Sequence, residues 1–278
     1  MQRTVARIET AQPPARSAST HANRFVVAAA DFEAHSPFLM MMEDWFAPPS
    51  GFPTHPHRGM ETVTIVLEGS LEHRDHTGGQ GALAAGDVQW MTAGKGVMHS
   101  EMPGPKGVHS LQLWLNLPAA QKLAPARYLD QRGAEAPVIA AGDGAKVKVY
   151  AGRQGEVTQP HGSSYPMGLV QLRLEAGGAC TLQIPSAARA FLYVLDGSAK
   201  VGADGAVVEA GQSAWIDPNP TPDDSLDELM VAADGPLRAV LFYGEPIEEP
   251  VVAYGPFVMN TTEEIRQAFA DYQSGALV

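Results

Sequence analysis

Cysteine is nearly absent. Cys180 is the only one in 278 residues, so no internal disulfide can form and no thiolate zinc site can be built. That fits a reducing compartment. Positive charge is also scarce, with 19 Lys and Arg against 31 Asp and Glu and a net charge of -12. Holding a phosphate backbone needs clustered cations, so nucleic acid is not an expected partner. An anionic membrane surface is disfavoured for the same reason. No segment approaches the roughly 20 apolar residues of a membrane-spanning helix. The opening stretch MQRTVARIETAQPPARSAST has scattered Arg and no apolar block, so it does not read as a secretory signal. A cytoplasmic location is expected, with no membrane partner. No glycine loop ends in Gly-Lys-Ser/Thr, and no Gly-x-Ser-x-Gly elbow is present. Cys180 lies in an apolar run and reads as a small buried hydrophobe rather than a nucleophile.

Helical periodicity is missing almost everywhere. The exception is NTTEEIRQAFADYQSG near the end. Asn260 or Thr261 can cap it, Glu263 and Glu264 fill its first turn, Ile265, Phe269 and Tyr272 share a face, and Gly275 is a stop. The rest consists of short apolar or alternating runs punctuated by 28 Gly and 22 Pro, an all-β barrel or sandwich pattern. Hydrophobic content of 45% is enough for a real core in one large domain or two ordinary ones. A weak repeat favours two. IVLEGS at 65–70 matches YVLDGS at 193–198, and LAAGDVQWM at 83–91 matches VEAGQSAWI at 208–216, at offsets of 128 and 125. That period is too long for a solenoid and suits a duplicated domain.

Against this background stand His55-Pro56-His57 and, some forty residues later, His99-Ser100-Glu101. Residues two apart on a strand face the same way. His55, His57 and Glu61 share one parity, and His99 and Glu101 share another, giving five candidate ligands with Glu61 and Glu101 competing for the carboxylate place. Three imidazoles and one oxygen suit a mononuclear divalent metal. Fe(II) accepts such a donor set, and so do Mn, Co, Ni, Cu and Zn. His73 and His76, in the charged hairpin EHRDHTGG, are expected to be solvated. His109 is expected to pack, and His161, in a Gly/Ser loop, to be inert. The Met40-Met41-Met42 run with Phe38, Trp45 and Phe46 reads as core. At the offset of 128, His55 corresponds to Gln183, His57 to Pro185 and Glu61 to Arg189, while PDDSLDE answers the region of His99. The second copy has therefore lost its site.

These residues resemble the cupins, and more closely the pirin family of two-cupin proteins. His55, His57 and Glu61 fit the ligand core of the first cupin motif, with Gly69 one residue late. In the second motif Thr92 replaces a proline, and two extra residues separate Gly94 from His99, which is the pirin pattern. HPHRGMETVTIVLEGSLEHRD, GDVQWMTAGKGVMHSEMP, LQLWLNLP and GEPIEEPVVAYGPFVMNTTEEIRQAFADYQSG carry the likeness over most of residues 51–118 and 244–275. Residues 22–50 and 135–215 resemble the family loosely.

The resemblance implies an all-β chain of two tandem cupin barrels with a short C-terminal helix. Residues 1–20 would be a flexible arm, 21–134 the cupin with the metal site, and 135–278 a cupin without one, ending in the helix. It implies His55, His57, His99 and Glu101 as the metal ligands, with Glu61 beside them and iron as the usual metal. It also implies quercetin 2,3-dioxygenase-type oxidoreductase activity, with O2 cleaving a flavonol such as quercetin. Glu101 or Glu61 would act as the base, and Phe38, Met41, Phe52 or Trp114 would form the pocket wall. A monomer is expected. The competing expectation is a non-enzymatic metal or redox-sensing regulatory protein acting through protein partners. A cupin enzyme acting on another small substrate is the third, since fold does not fix chemistry.

Overall fold

Strands dominate the computed structural model, which describes all 278 residues. The helical elements are one turn at Phe32–His35, a 3-10 turn at Ala119–Gln121 and the terminal helix Thr262–Ser274. That helix has the expected ends. Thr261 accepts a hydrogen bond from Glu264 N, the Glu264 side chain accepts one from the Thr261 backbone, and Gly275 closes the helix in the left-handed conformation.

The chain divides into two compact units. One comprises residues 12–134, 163–165 and 247–278; the other comprises 1–11, 135–162 and 166–246. The first is a nine-stranded antiparallel sheet, in the order Arg127–Gln131, Val88–Thr92, Met60–Asp75, Val97–Asn116, Phe38–Phe46, His21–Val27 and Ala15–Ala18. Phe52–His57 is added on Val97–Asn116, and Gln80–Ala84 on Met60–Asp75. Met60–Asp75 and Val97–Asn116 pair twice along their lengths, with register shifts at Val66/Glu68 and Gly69/Leu71. Such bulges bend a sheet and let it curl.

The second unit has an eight-stranded sheet, in the order Arg7–Thr10, Gln212–Ile216, Arg189–Asp196, Leu237–Gly244, Met167–Leu174, Ala145–Gln154 and Val138–Ala140, with Val157–Gln159 paired on Ala145–Gln154. A four-stranded sheet runs Ala179–Pro185, Leu226–Ala232, Ser198–Val201 and Ala206–Glu209. Inside it lies an aliphatic core including Val149, Leu172, Ile184, Leu192, Leu229 and Leu241.

The repeat in the sequence is a repeat in the structure. Gly86 N donates to Val66 O at 2.7 Å, and at the matching positions Gly211 N donates to Val194 O at 2.8 Å. The bulge at Val66/Glu68 recurs at Val194/Asp196. Trp90 and Trp215 are both buried.

The expected domain limits differ from these units at both ends. Residues 1–20, expected as an arm, contain two strands. Arg7–Thr10 pairs with Gln212–Ile216, and Ala15–Ala18 pairs with His21–Val27. Unpaired backbone groups at a sheet edge recruit such segments, and Pro13 and Pro14 lie in the link between the two strands. The terminal helix, expected to finish the second cupin, belongs to the unit that carries the histidines.

Candidate metal centre

Phe52–His57 pairs antiparallel with the start of Val97–Asn116, so that His55 stands opposite His99 and His57 opposite Val97. His57 then shares a face with His55, and the three imidazoles meet. Ring centroids lie 4.8 Å apart for His55 and His57, 4.5 Å for His55 and His99, and 5.2 Å for His57 and His99. One ligand atom from each falls within 4.8 Å of the other two.

The nitrogens are prepared as lone-pair donors. His55 Nδ1 lies 2.9 Å from Pro53 O. A carbonyl only accepts, so Nδ1 is the donor there and Nε2 is the ring nitrogen not engaged by Pro53. His99 is 1% exposed, and neither of its ring nitrogens has a hydrogen-bond partner; His57 Nδ1 has none either. Burial, then the neighbouring His99 and His55, push the pKa of His57 well below the usual imidazole range, against a hydrogen bond to the Pro256 backbone. Burial, then His55 and His73, lower His99 to about 3. Buried polar atoms without partners are costly. Neutral imidazoles aimed at one point satisfy that demand when they share a divalent transition metal, so the donor set fits one.

Glu101 follows His99 by two residues on the same strand. Gln112 Nε2 donates to its two oxygens at 2.9 and 3.0 Å and to Thr64 Oγ1 at 3.2 Å, while Trp114 Nε1 donates to Gln112 Oε1 at 3.4 Å. Burial raises the carboxyl pKa against the pull of Gln112, His55 and His73. The structure does not gather this carboxylate with the three imidazoles; Gln112 holds it. Trp114 meets His57 edge-on at 5.1 Å, and Phe52 lies 6.2 Å from His55.

Glu61 lies elsewhere, and the parity argument fails there for a local reason. The strand ends at His57, Gly59 takes φ 80°, and a new strand starts at Met60. On that strand Thr62 pairs with Trp114 and Thr64 with Gln112, so Glu61 faces the other side of the sheet. There it accepts from Ser164 N at 2.8 Å and from Thr92 Oγ1. Burial raises its pKa against those bonds and the nearby Arg127.

Other histidines divide. His109 packs as expected, stacked on Trp45 at 4.7 Å with Nε2 2.8 Å from Glu43 Oε1. His76 is exposed. His73, expected to be solvated, is 4% exposed and packs against Tyr128 at 4.6 Å. Leu71-Glu72-His73-Arg74 alternates buried and exposed, a period-2 signal that the charge of the segment obscures. Phe38 and Met41 are fully buried. Met41 pairs with Leu113, whereas Met40 and Met42 pair with Trp114 and Gln112 and share their face. Sequence reasoning also missed Gln112 and Thr64, and it missed Asp44, a buried acid on that same face, 2.9 Å from His21 Nε2. Glu43 beside it makes the pair read as a solvated charge cluster.

Residues 9–115 match the family model for pirin, and residues 169–278 match the pirin C-terminal cupin domain. The chain belongs to the pirin family. A Pseudomonas aeruginosa protein, provisionally named a quercetin 2,3-dioxygenase, is 38% identical over 295 residues, covering 99% of this chain and 98% of that protein. The pirin of Homo sapiens is 38% identical over 244 residues, covering 86% of this chain and 81% of its own. The crystal structure of a quercetin 2,3-dioxygenase from Acinetobacter baumannii superposes with a TM-score of 0.89 at 29% identity, over 100% of this chain and 99% of that one. In this pirin no helix is long and apolar enough to cross a membrane.

Proposed function

We propose that this pirin is a metal-dependent dioxygenase that opens flavonols such as quercetin with O2. The observation that carries the reading is the triad itself: three buried or half-buried imidazoles whose ligand atoms lie within 4.8 Å of one another, in a chain similar throughout to proteins named for that activity. His55, His57 and His99 would hold the metal, and Fe(II) is the expected ion. Glu101 would supply the fourth donor, because it shares strand and parity with His99 and is held in place by Gln112. When bound, a divalent cation supplies Lewis-acid stabilisation of the deprotonated flavonol and allows its reaction with O2.

The chain's own residues do the rest. Burial raises the proton affinity of Glu101, which suits it to take the flavonol hydroxyl proton when that oxygen comes within about 3 Å. Glu61 is occupied by Ser164 and Thr92 on the opposite face of the sheet and serves to fix its strand. Trp114 and Phe52, lying against the imidazoles, would give a flat aromatic substrate apolar walls and limit water. Met40 and Met42, rather than Met41, share the face of Trp114 and Gln112.

The test is direct. Anaerobically prepared, iron-loaded protein is mixed with quercetin in oxygenated buffer, and O2 uptake is followed with loss of flavonol absorbance. Turnover above that of free iron is expected. Fully metal-bound protein with no such turnover overturns the reading.

A further inference from the structure

The segment after the second barrel returns to the histidine unit and touches both strands that carry the triad. Phe257 forms a parallel bridge with Arg58, and Val258 N donates to Arg58 O at 3.0 Å. Gly59 closes the His-Pro-His turn, and a Cβ there would sit 2.0 Å from Val258 O, so only glycine permits the approach. Lys122 is fully buried without a carboxylate partner. Its Nζ donates to Gly59 O at 2.8 Å, to Val258 O at 3.2 Å and to Asn116 Oδ1 at 2.7 Å, fastening turn and tail together.

The second ligand strand is gripped in the same way. Arg58 Nη1 reaches Asp271 Oδ2 on the terminal helix at 2.6 Å, while Arg58 Nε donates to Lys95 O. A Cβ on Gly96 would lie 2.3 Å from Leu277 O. Met98, beside His99, packs on the cluster of Phe257, Met259, Ile265, Ala268 and Leu277. Gly59 N donates to Gly94 O at 2.8 Å, so the two approaches are also tied to each other.

We infer that residues 256–277 form a clamp that sets the metal affinity of the triad, with Asp271, Lys122 and Leu277 as positioning residues. The inference rests on the metal reading above. An imidazole triad binds well only when its three donors are held to a common point; groups bonded directly to the ligands are worth about 10–100-fold in affinity, and the tail, one step further out, acts at the lower end of that range. The tail constrains the turn after His57 and the approach to His99 at once, so its docking and metal binding favour each other. Linkage makes that coupling reciprocal.

The experiment uses the full-length, metal-free protein titrated with Co(II) against a competing chelator, with the visible Co(II) spectrum as readout. Asp271→Asn and Leu277→Ala are each expected to weaken Co(II) binding about tenfold. Arg266→Gln, on the exposed face of the same helix, should leave it unchanged. In the wild-type chain, Co(II) should slow hydrogen exchange at Val258 and through Ile265–Tyr272 by a similar factor, a measurement that needs no variant to fold. A tail that only stabilises the fold would give the opposite pattern. Both variants would then lower the melting temperatures of metal-free and Co(II)-loaded protein equally, Kd would not move and exchange in the helix would ignore the metal. That outcome overturns the clamp alone. Wild-type protein binding Co(II) no better than His99→Leu would overturn the metal reading, and the clamp with it.

Discussion

The two units share a frame and differ in what the frame turns inward. Where Thr64 faces Gln112 and Thr62 faces Trp114 in one, the same rungs of the other carry Leu192 with Leu241 and Ala190 with Tyr243. His55 opposite His99 becomes Gln183 opposite Glu228, and His57 opposite Val97 becomes Pro185 opposite Leu226. Glu228 lies inside the segment PDDSLDE that the repeat aligned with His99. Gln183 has a different task, its Oε1 accepting from Gly155 N at 3.1 Å. One barrel has a filled aliphatic interior; the other gives up that core at the matching rungs to hold imidazoles, a carboxylate and the amide that steadies it. Function here is a substitution of inward-facing residues on an unchanged ladder, and it should cost the histidine unit stability that the second unit keeps.

The sharpest way to break this comparison is to move a polar residue across it. Leu241→Gln places an amide in the aliphatic core where its counterpart Gln112 has partners and it would have none. Loss of about 3 kcal/mol in urea unfolding is expected; a neutral result would show that the second barrel tolerates polar groups as readily as the first.

Acid should then separate the units. His99 has a folded pKa of about 3 against an ordinary value of 6.5. Below pH 6.5 the unfolded chain takes up a proton that the fold refuses, so stability falls as pH drops toward 3 and is fully present above 6.5. Between pH 7 and pH 5 this one group should cost metal-free protein about 2 kcal/mol. Urea unfolding of His99→Leu should show a shallower decline by that amount, and an unchanged pH slope would contradict the burial argument.

A smaller effect is expected when the histidine unit is made to copy its partner. Gln112→Leu removes the donor that holds Glu101 while matching Leu241. Metal affinity should fall about tenfold, and fold stability by about 1 kcal/mol because buried Glu101 loses its donor. Equal affinity would mean that Glu101 plays no part at the metal.

Much of this contrast is legible in the residues. His-Pro-His and His-x-Glu announce their shared faces by parity, and IVLEGS with YVLDGS announces the duplicate frame. The terminal helix is legible from Thr261, Glu264 and Gly275. Parity fails at Glu61 because Gly59 breaks the strand, and periodicity cannot see a break that depends on the approach of Val258 O. The burial of His73 is masked by its charged neighbours, although they alternate outward. The strand at Arg7–Thr10 and the return of the tail to the histidine unit are long-range pairings. Nothing in their local sequence names the partner, so only the assembled fold shows them.

The central claim is that one barrel of the two holds a metal, and that the triad holds it. Its most direct test is anaerobic equilibrium dialysis of metal-free protein against Fe(II), counting ions per chain. The account predicts one ion per chain in the wild type and none retained by His99→Leu at the same free concentration. Two ions per chain, or one retained without His99, would contradict it.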